Sequence, residues 1–160
     1  YSNNLNNRVV IGNSIVAGNT ASIEGSEVFY PGFGVFESQG SNLVGQNGDA
    51  GGFPTIATDI VLSGAIDTVI APLADNGGAT QTHALVPESA AIDAGNNALA
   101  VDPNSGNPLT TDQTGSPRIV NGTVDIGAVE FQDNPVAPQF ATVESELSFS
   151  SSLVLPNVRE

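Results

Sequence analysis

Two Gly-Asn pairs, Gly12-Asn13 and Gly18-Asn19, stand six residues apart in GNSIVAGNTASI (residues 12–23) and restrict what the chain can fold into. Glycine tolerates positive φ and asparagine visits the left-handed region more readily than most residues, so each pair can turn the chain sharply. Around these corners Val9, Ile11, Ile15 and Ala17 alternate with neighbours free to face outward, which is the period of a strand and not of a helix. Short strands joined by tight corners make a coil. SNLVGQNG (residues 41–48) repeats the pattern with Leu43 twenty-eight residues after Ile15, an interval that fits one long rung carrying a loop. A meandering β-sandwich uses comparable strands and turns, and periodicity alone leaves it open.

The loop between the two passes, GSEVFYPGFGVFES (residues 25–38), holds Phe29, Tyr30, Phe33 and Phe36, four of the nine aromatic residues within eight positions. Exposed beside Glu24, Glu27 and Glu37, such rings could stack on sugars, with Tyr30 and Phe33 as the candidate glycan contacts. Packing onto the side of the coil accounts for the same rings, because aromatics contribute most when buried and Gly32 and Gly34 suit a tight fold-back. Phe29, Phe33 and Phe36 are therefore expected to pack inward. Farther on, the apolar pieces at residues 59–62 and 65–70 read as irregular strands, and Pro72 and Pro87 argue against long helices. DNGG (residues 75–78) reads as a turn, and HALVP (83–87) and AAID (90–93) as short buried elements. A terminal region of this kind would cap the last rung, whose open end leaves backbone groups unpaired. VDIGAVEF (residues 124–131) alternates Val124, Ile126 and Ala128 against Asp125, Gly127 and Val129, and would be the last strand.

Charge excludes several partners. The chain of 160 residues has no lysine, and Arg8, Arg118 and Arg159 face seventeen carboxylates for a net charge of -14. Phosphate binding needs clustered cations that release counterions, so nucleic acid and anionic membranes are poor partners. Cysteine is absent, which removes disulfides and thiolate metal sites and leaves the redox compartment unread. No run of about eighteen apolar residues reads as a membrane span, and Tyr1 does not open a signal segment. An export signal would lie upstream. The strand pattern begins by Arg8 behind a polar run, so the first rung is expected to be covered by upstream rungs or by another chain.

Four phrases carry a resemblance. DNGGATQTHAL (residues 75–85), SAAIDAGN (89–96), TDQTGSPR (111–118) and VDIGAVEF (124–131), in this order and spacing, resemble the C-terminal end of bacterial secreted right-handed parallel β-helix proteins, the "choice-of-anchor" group with the pectin-lyase-like fold. The resemblance covers roughly residues 8–131. It implies an all-β chain with the C-terminal rungs and cap of a right-handed parallel β-helix over residues 1–131; beyond it the residues themselves read as a Pro-containing linker over 132–139 and an extended strand over 140–160. It also implies an extracellular or bacterial cell-surface location. It does not imply a reaction, since members of this group mostly lack an assigned activity.

Catalytic groups are few. His83 is the single histidine, and without lysine or cysteine the nucleophiles reduce to hydroxyls and carboxylates. A Ser-His-Asp arrangement would need His83, Asp93 and a serine, yet no G-x-S-x-G phrase occurs. The position of His83 inside a family phrase implies instead a buried, hydrogen-bonded ring that fixes the cap. Among pectin-degrading β-helix enzymes, the polygalacturonase branch uses clustered aspartates with a histidine and an Arg-x-Lys phrase, and the lyase branch uses basic residues beside calcium. Here Arg118 is followed by Ile119 and Val120, so the comparison fails at its diagnostic positions. Paired carboxylates for glycoside hydrolysis cannot be placed by spacing alone. No catalytic residue and no cofactor is assigned, except that calcium is the small partner the oxygen-rich composition suits. VDPNSGNPLTTDQTG (residues 101–115) offers Asp102, Asn104 and Asp112, but lacks the glutamate that completes a calcium loop, and solvated Asx turns explain the same residues. Asp125 and Glu130 read as structural carboxylates, one of them paired with Arg118.

The tail has its own pattern. QDNPVAPQ (residues 132–139) reads as a linker because Pro135 and Pro138 favour extended backbone. From Val143 onward Leu147, Phe149, Leu153 and Leu155 alternate with Glu144, Glu146, Ser148, Ser150 and Ser152, giving a strand with one apolar face. A lone strand is not stable, so it should lie against a sheet edge or groove of its own molecule or of a neighbour. On a neighbour it would build a fibre or array from copies of the chain. The sequence thus points to a non-catalytic structural or adhesive surface module, with upstream β-helix segments or further copies as partners. A carbohydrate-active module that binds or cleaves polysaccharide along the flank is the alternative.

Overall fold

The computed structural model describes residues 8–22, 27–28 and 35–132. Five strands come first: β1 (Arg8–Gly12), β2 (Ile15–Val16), β3 (Val35–Gly40), β4 (Leu43–Val44) and β5 (Ile60–Val61). Two 3-10 turns, Ile66–Thr68 and Asn97–Leu99, follow, and no α-helix occurs among the described residues. Among the described residues every strand pair is parallel, β1 with β3 in one sheet and β2-β4-β5 in the other. Parallel neighbours cannot be joined by a tight hairpin, so the chain leaves and returns between them. It lays β1 in the first sheet and β2 in the second, then comes back to set β3 beside β1 and β4 beside β2. A sandwich of antiparallel meanders pairs differently.

Register follows the repeat. Ile15 pairs with Leu43, the recurrence visible in the sequence, and Leu43 in turn pairs with Ile60. In the first sheet Arg8 pairs with Val35 at an offset of 27 residues, and a bulge between Ile11 and Gly12 changes the offset to 28 at the Gly12–Gly40 pair. The shift brings the first sheet into step with the second, where Ile15 to Leu43 is also 28. It falls at the corner, where Asn13 (φ 50°) and Ser41 (φ 52°) take the left-handed conformation one above the other and the Asn13 amide donates to Gly40 O at 3.3 Å. Asparagine accepts that conformation better than most residues, which is why a Gly-Asn pair marks the turn.

The central strand of the second sheet is buried on both faces, as parallel strands usually are, while Val61 of β5 is exposed. Leu43 and Val44 have no exposed surface, yet they point to opposite sides, because successive side chains alternate across a strand. Val44 joins Ile11, Val16, Val28, Phe36 and Phe53 in a core between the two sheets. Of the aromatics expected to pack inward, Phe36 does so; Phe29 and Phe33 lie outside the described residues. Leu43 joins Ile15 and Ile60 on the other face, where Val69, Leu85, Ala91 and Ile126 cover them. Each such buried side chain contributes about 1.5–3 kcal/mol. The region after β5 therefore covers three successive strands across the face of a sheet, whereas a cap over the last rung was expected.

That region is built from turns and isolated antiparallel bridges, including Ile70–Leu85, Ala74–Thr82, Val101–Pro108 and Thr111–Pro117. Two expected strands are absent from it. Residues 65–70 form the 3-10 turn Ile66–Thr68 and only Ile70 enters a bridge. VDIGAVEF forms no strand and bends at residues 126–129, because carboxylate side chains take amides that a ladder would use. Asp125 N donates to Glu130 Oε2, Phe131 N to Asp125 Oδ2 and Glu130 N to Asp112 Oδ2. The expected piece at residues 59–62 does supply β5. No helix among the described residues is long and apolar enough to cross a membrane.

Candidate functional site

A groove of about 690 Å³ opens beside β2, where the covering region meets the second sheet. Its floor is Ile15, Ile70, Leu85 and Ile126, and its rim carries Gln81, His83, Gln113 and the half-exposed Leu73. Among the described residues no carboxylate or guanidinium lines it, in a chain of net charge -14. The bend at residues 126–129 forms the far wall and is tied to the coil by Gly127 N donating to Asn13 O at 2.9 Å. The near wall is a strand edge. Ser14 O and Val16 O accept from Leu43 N and Gly45 N of β4, so ladder geometry turns the amide and carbonyl of Ile15, and the amide of Ala17, away from β4.

His83 is exposed, not buried as expected. Thr82, in the bridge to Ala74, turns inward at 4% exposure, and strand alternation sends its neighbour outward. The ring is hydrogen-bonded, with Nδ1 2.7 Å from Ala71 O. A carbonyl only accepts, so Nδ1 is the donor in this bond. This partner is a backbone carbonyl and not the carboxylate of an acid-base relay.

Below the groove lies a buried ionic cluster. Arg118, 5% exposed, donates Nη1 to Glu130 Oε2 at 2.9 Å and Nη2 to Gly127 O at 2.8 Å, and so holds the groove's far wall. This is the pairing of Arg118 with a carboxylate that the sequence suggested. Asp125 accepts from the amides of Asp93 and Phe131, and Glu130 from those of Val120 and Asp125. Burial is the largest influence on both carboxyls and pushes them above their ordinary range; the donated amides and Arg118 pull the other way, and each neighbouring carboxylate adds to the rise, Asp93 for Asp125 and Asp125 for Glu130. One guanidinium faces two buried carboxylates, which is too little to offset their desolvation.

A second polar knot sits inside the coil corner and was not legible in the sequence. Asn42 is fully buried; Oδ1 accepts from Ser14 N, and Nδ2 lies within 3.1 Å of Ile11 O, Ser38 Oγ and Asp59 Oδ1. Burial alone would raise the Asp59 carboxyl, but the Ser38 hydroxyl, the Ile56 and Asn42 amides and the Asn42 side chain donate to it and hold it below its ordinary value.

The calcium candidates are engaged in two separate turns. Asp102 Oδ1 accepts from Asn104 N, Ser105 N and Ser105 Oγ, an Asx turn in which Asn104 supplies its backbone and not its side chain. Asp112 Oδ1 accepts from Thr114 N, Thr114 Oγ1 and Ser116 N, and Oδ2 from Glu130 N. Among the described residues no three histidine, aspartate or glutamate side chains gather as a metal site would require. Tyr30 and Phe33, and the tail residues Val143, Leu147, Phe149, Leu153 and Leu155, lie outside the described residues. No family model matches the chain, and no curated protein matches it.

Proposed function

We propose that the chain is a non-catalytic structural or adhesive module of an extracellular or cell-surface bacterial protein, forming rungs of a right-handed parallel β-helix of the choice-of-anchor type. The observation that carries this reading is the parallel register, in which strands 27–28 residues apart stack in two sheets that the chain visits in turn. The use of the carboxylates agrees with it. Asp59, Asp112, Asp125 and Glu130 each accept two or more protein hydrogen bonds that hold corners and bends in place.

A second reading has one observation in its favour. The groove combines an apolar floor with amide and imidazole groups and no charge, a lining suited to a neutral polysaccharide. Glycan-array binding, followed by a reducing-sugar assay on any hit, separates the two. The structural reading expects no hit that is weakened by Gln81→Ala or Gln113→Ala. A hit abolished by both variants establishes the carbohydrate reading, and product release would make the module an enzyme.

A further inference from the structure

We infer that Asn121 is an acceptor for N-linked sugar, presented by the turn that Asn121 and Gly122 form between Val120 and Thr123. The sequence supplies the pattern. Asn121-Gly122-Thr123 places a hydroxyl two residues after an asparagine with no proline between, the arrangement that N-glycosyltransferases read. No other asparagine in the sequence has serine or threonine at that distance. A triplet of this kind also arises by chance, so its surroundings decide. Val120 and Thr123 pair in an isolated antiparallel bridge, and Asn121 (φ 56°) and Gly122 (φ 96°) both take positive φ, the geometry of a tight two-residue turn. Both residues are exposed, and a Cβ built on Gly122 meets nothing within 4 Å, so a bulky group fits beside the acceptor.

Side-chain bonding singles out the same residue. Asn13, Asn42, Asn76, Asn96 and Asn97 engage their carboxamides with partners that fix corners and seams. Asn47, Asn104 and Asn107 leave theirs unbonded among the described residues, but Asp49, Gly106 and Leu109 stand where the hydroxyl is needed. The Asn121 carboxamide also bonds no described residue, while the turn that carries it is held from below. Val120 N donates to Glu130 Oε1 at 3.1 Å, Asn97 Nδ2 to Gly122 O at 2.9 Å and Val124 N to Asn97 Oδ1 at 2.8 Å. The acceptor is free and its support is fixed. The co-substrate is a sugar activated through a phosphate at its anomeric carbon. Asn121 Nδ2 bonds to that carbon and gives up one proton to the transferase or to water. The bond from carbon to phosphate oxygen breaks, and the phosphate leaves with the electron pair. None of residues 120–123 lines the groove beside β2, so the added sugar leaves the groove open.

The scarcity of basic residues makes the test direct. When the full chain is isolated from the cells that make it, denatured and cut by trypsin, cleavage after Arg118 starts a peptide at Ile119 that contains Asn121. Mass spectrometry is expected to find this peptide heavier by one or more whole sugar residues, with fragmentation placing them on Asn121. Made in the same cells, Asn121→Asp, which tolerates the left-handed backbone, and Thr123→Ala should lose the addition. Thr123→Ser keeps the hydroxyl and should retain it, and urea midpoints of the three variants report that the fold is intact. An unmodified peptide, or one showing only hydrolysis of the Asn121 amide to a carboxylate, would overturn the inference. So would a sugar that survives Thr123→Ala or is lost from Thr123→Ser. The inference rests on the turn and not on the role or location proposed above, and analysing the cell fractions separately keeps the two apart. An unmodified chain found outside the cell overturns the sugar and leaves the location standing.

Discussion

A buried carboxamide with its donors and acceptor all engaged, as at Asn42, is difficult to replace. Asn42→Leu leaves the buried Ser14 amide without its acceptor and takes one donor each from the Ile11 carbonyl and the Asp59 carboxylate, and should cost about 2–4 kcal/mol in urea denaturation. Arg118→Met strands Glu130 in the interior and should cost about 3–5 kcal/mol, whereas Arg118→Met with Glu130→Met should cost clearly less, since no uncompensated charge then remains. The carboxyls respond to acid in opposite senses. Asp59 is held below its ordinary value, so its stabilisation is complete above about pH 4 and is lost as pH falls through the depressed value. Asp125 and Glu130 are raised, so their contribution is complete below their ordinary 3.8 and 4.5 and declines as pH rises through the raised values. Urea midpoints followed from neutral pH into acid should show Asp59→Asn destabilising most near neutrality, with the gap to the parent chain closing as pH falls through the depressed value. A gap that stays constant would remove Asp59 from the account. The Arg118 pair was legible because a lone cation lay between carboxylates in the sequence. Asn42 was not, because a polar residue at a corner between short strands reads as facing water.

At the scale of elements, the corners carry the precision. Gly45 ends β4 with φ +69°, and a Cβ built there would lie 1.7 Å from Asp49 O, inside the turn closed by the Gln46–Asp49 bridge. Gly48, with φ +82°, meets nothing within 4 Å. Gly48→Ala should therefore cost about 1 kcal/mol of backbone strain, and Gly45→Ala about 3 kcal/mol or more, because the turn must open as well. The Asp102 and Asp112 turns, saturated by their own amides and hydroxyls, should gain under about 1 °C in melting temperature from millimolar calcium. The Ile15–Leu43 pairing was legible because corners and apolar residues recur together. VDIGAVEF was misread because its alternation ignores that Asp125 and Glu130 are themselves buried and draw the local amides to their side chains.

The whole molecule depends on one sheet serving two cores. Ile126 is fully buried against the outer face, and Ile126→Ala should lower stability by about 2–5 kcal/mol. Because the covering region shares that sheet with the coil, unfolding should remain a single transition with an unchanged denaturant slope; two resolved transitions would show that the two parts stand independently. The seam between them includes a different kind of bond. Asn13 Nδ2 donates to Asn96 O and Asn96 N donates to Asn13 Oδ1, both at 2.8 Å, so a side-chain amide exchanges the same two bonds that a neighbouring peptide would. Amides of this kind do not titrate. On acidification the corner at Asp59 loses the charge on its acceptor while this seam is unchanged, so amides bonded at that corner should lose hydrogen-exchange protection locally, ahead of the single global transition.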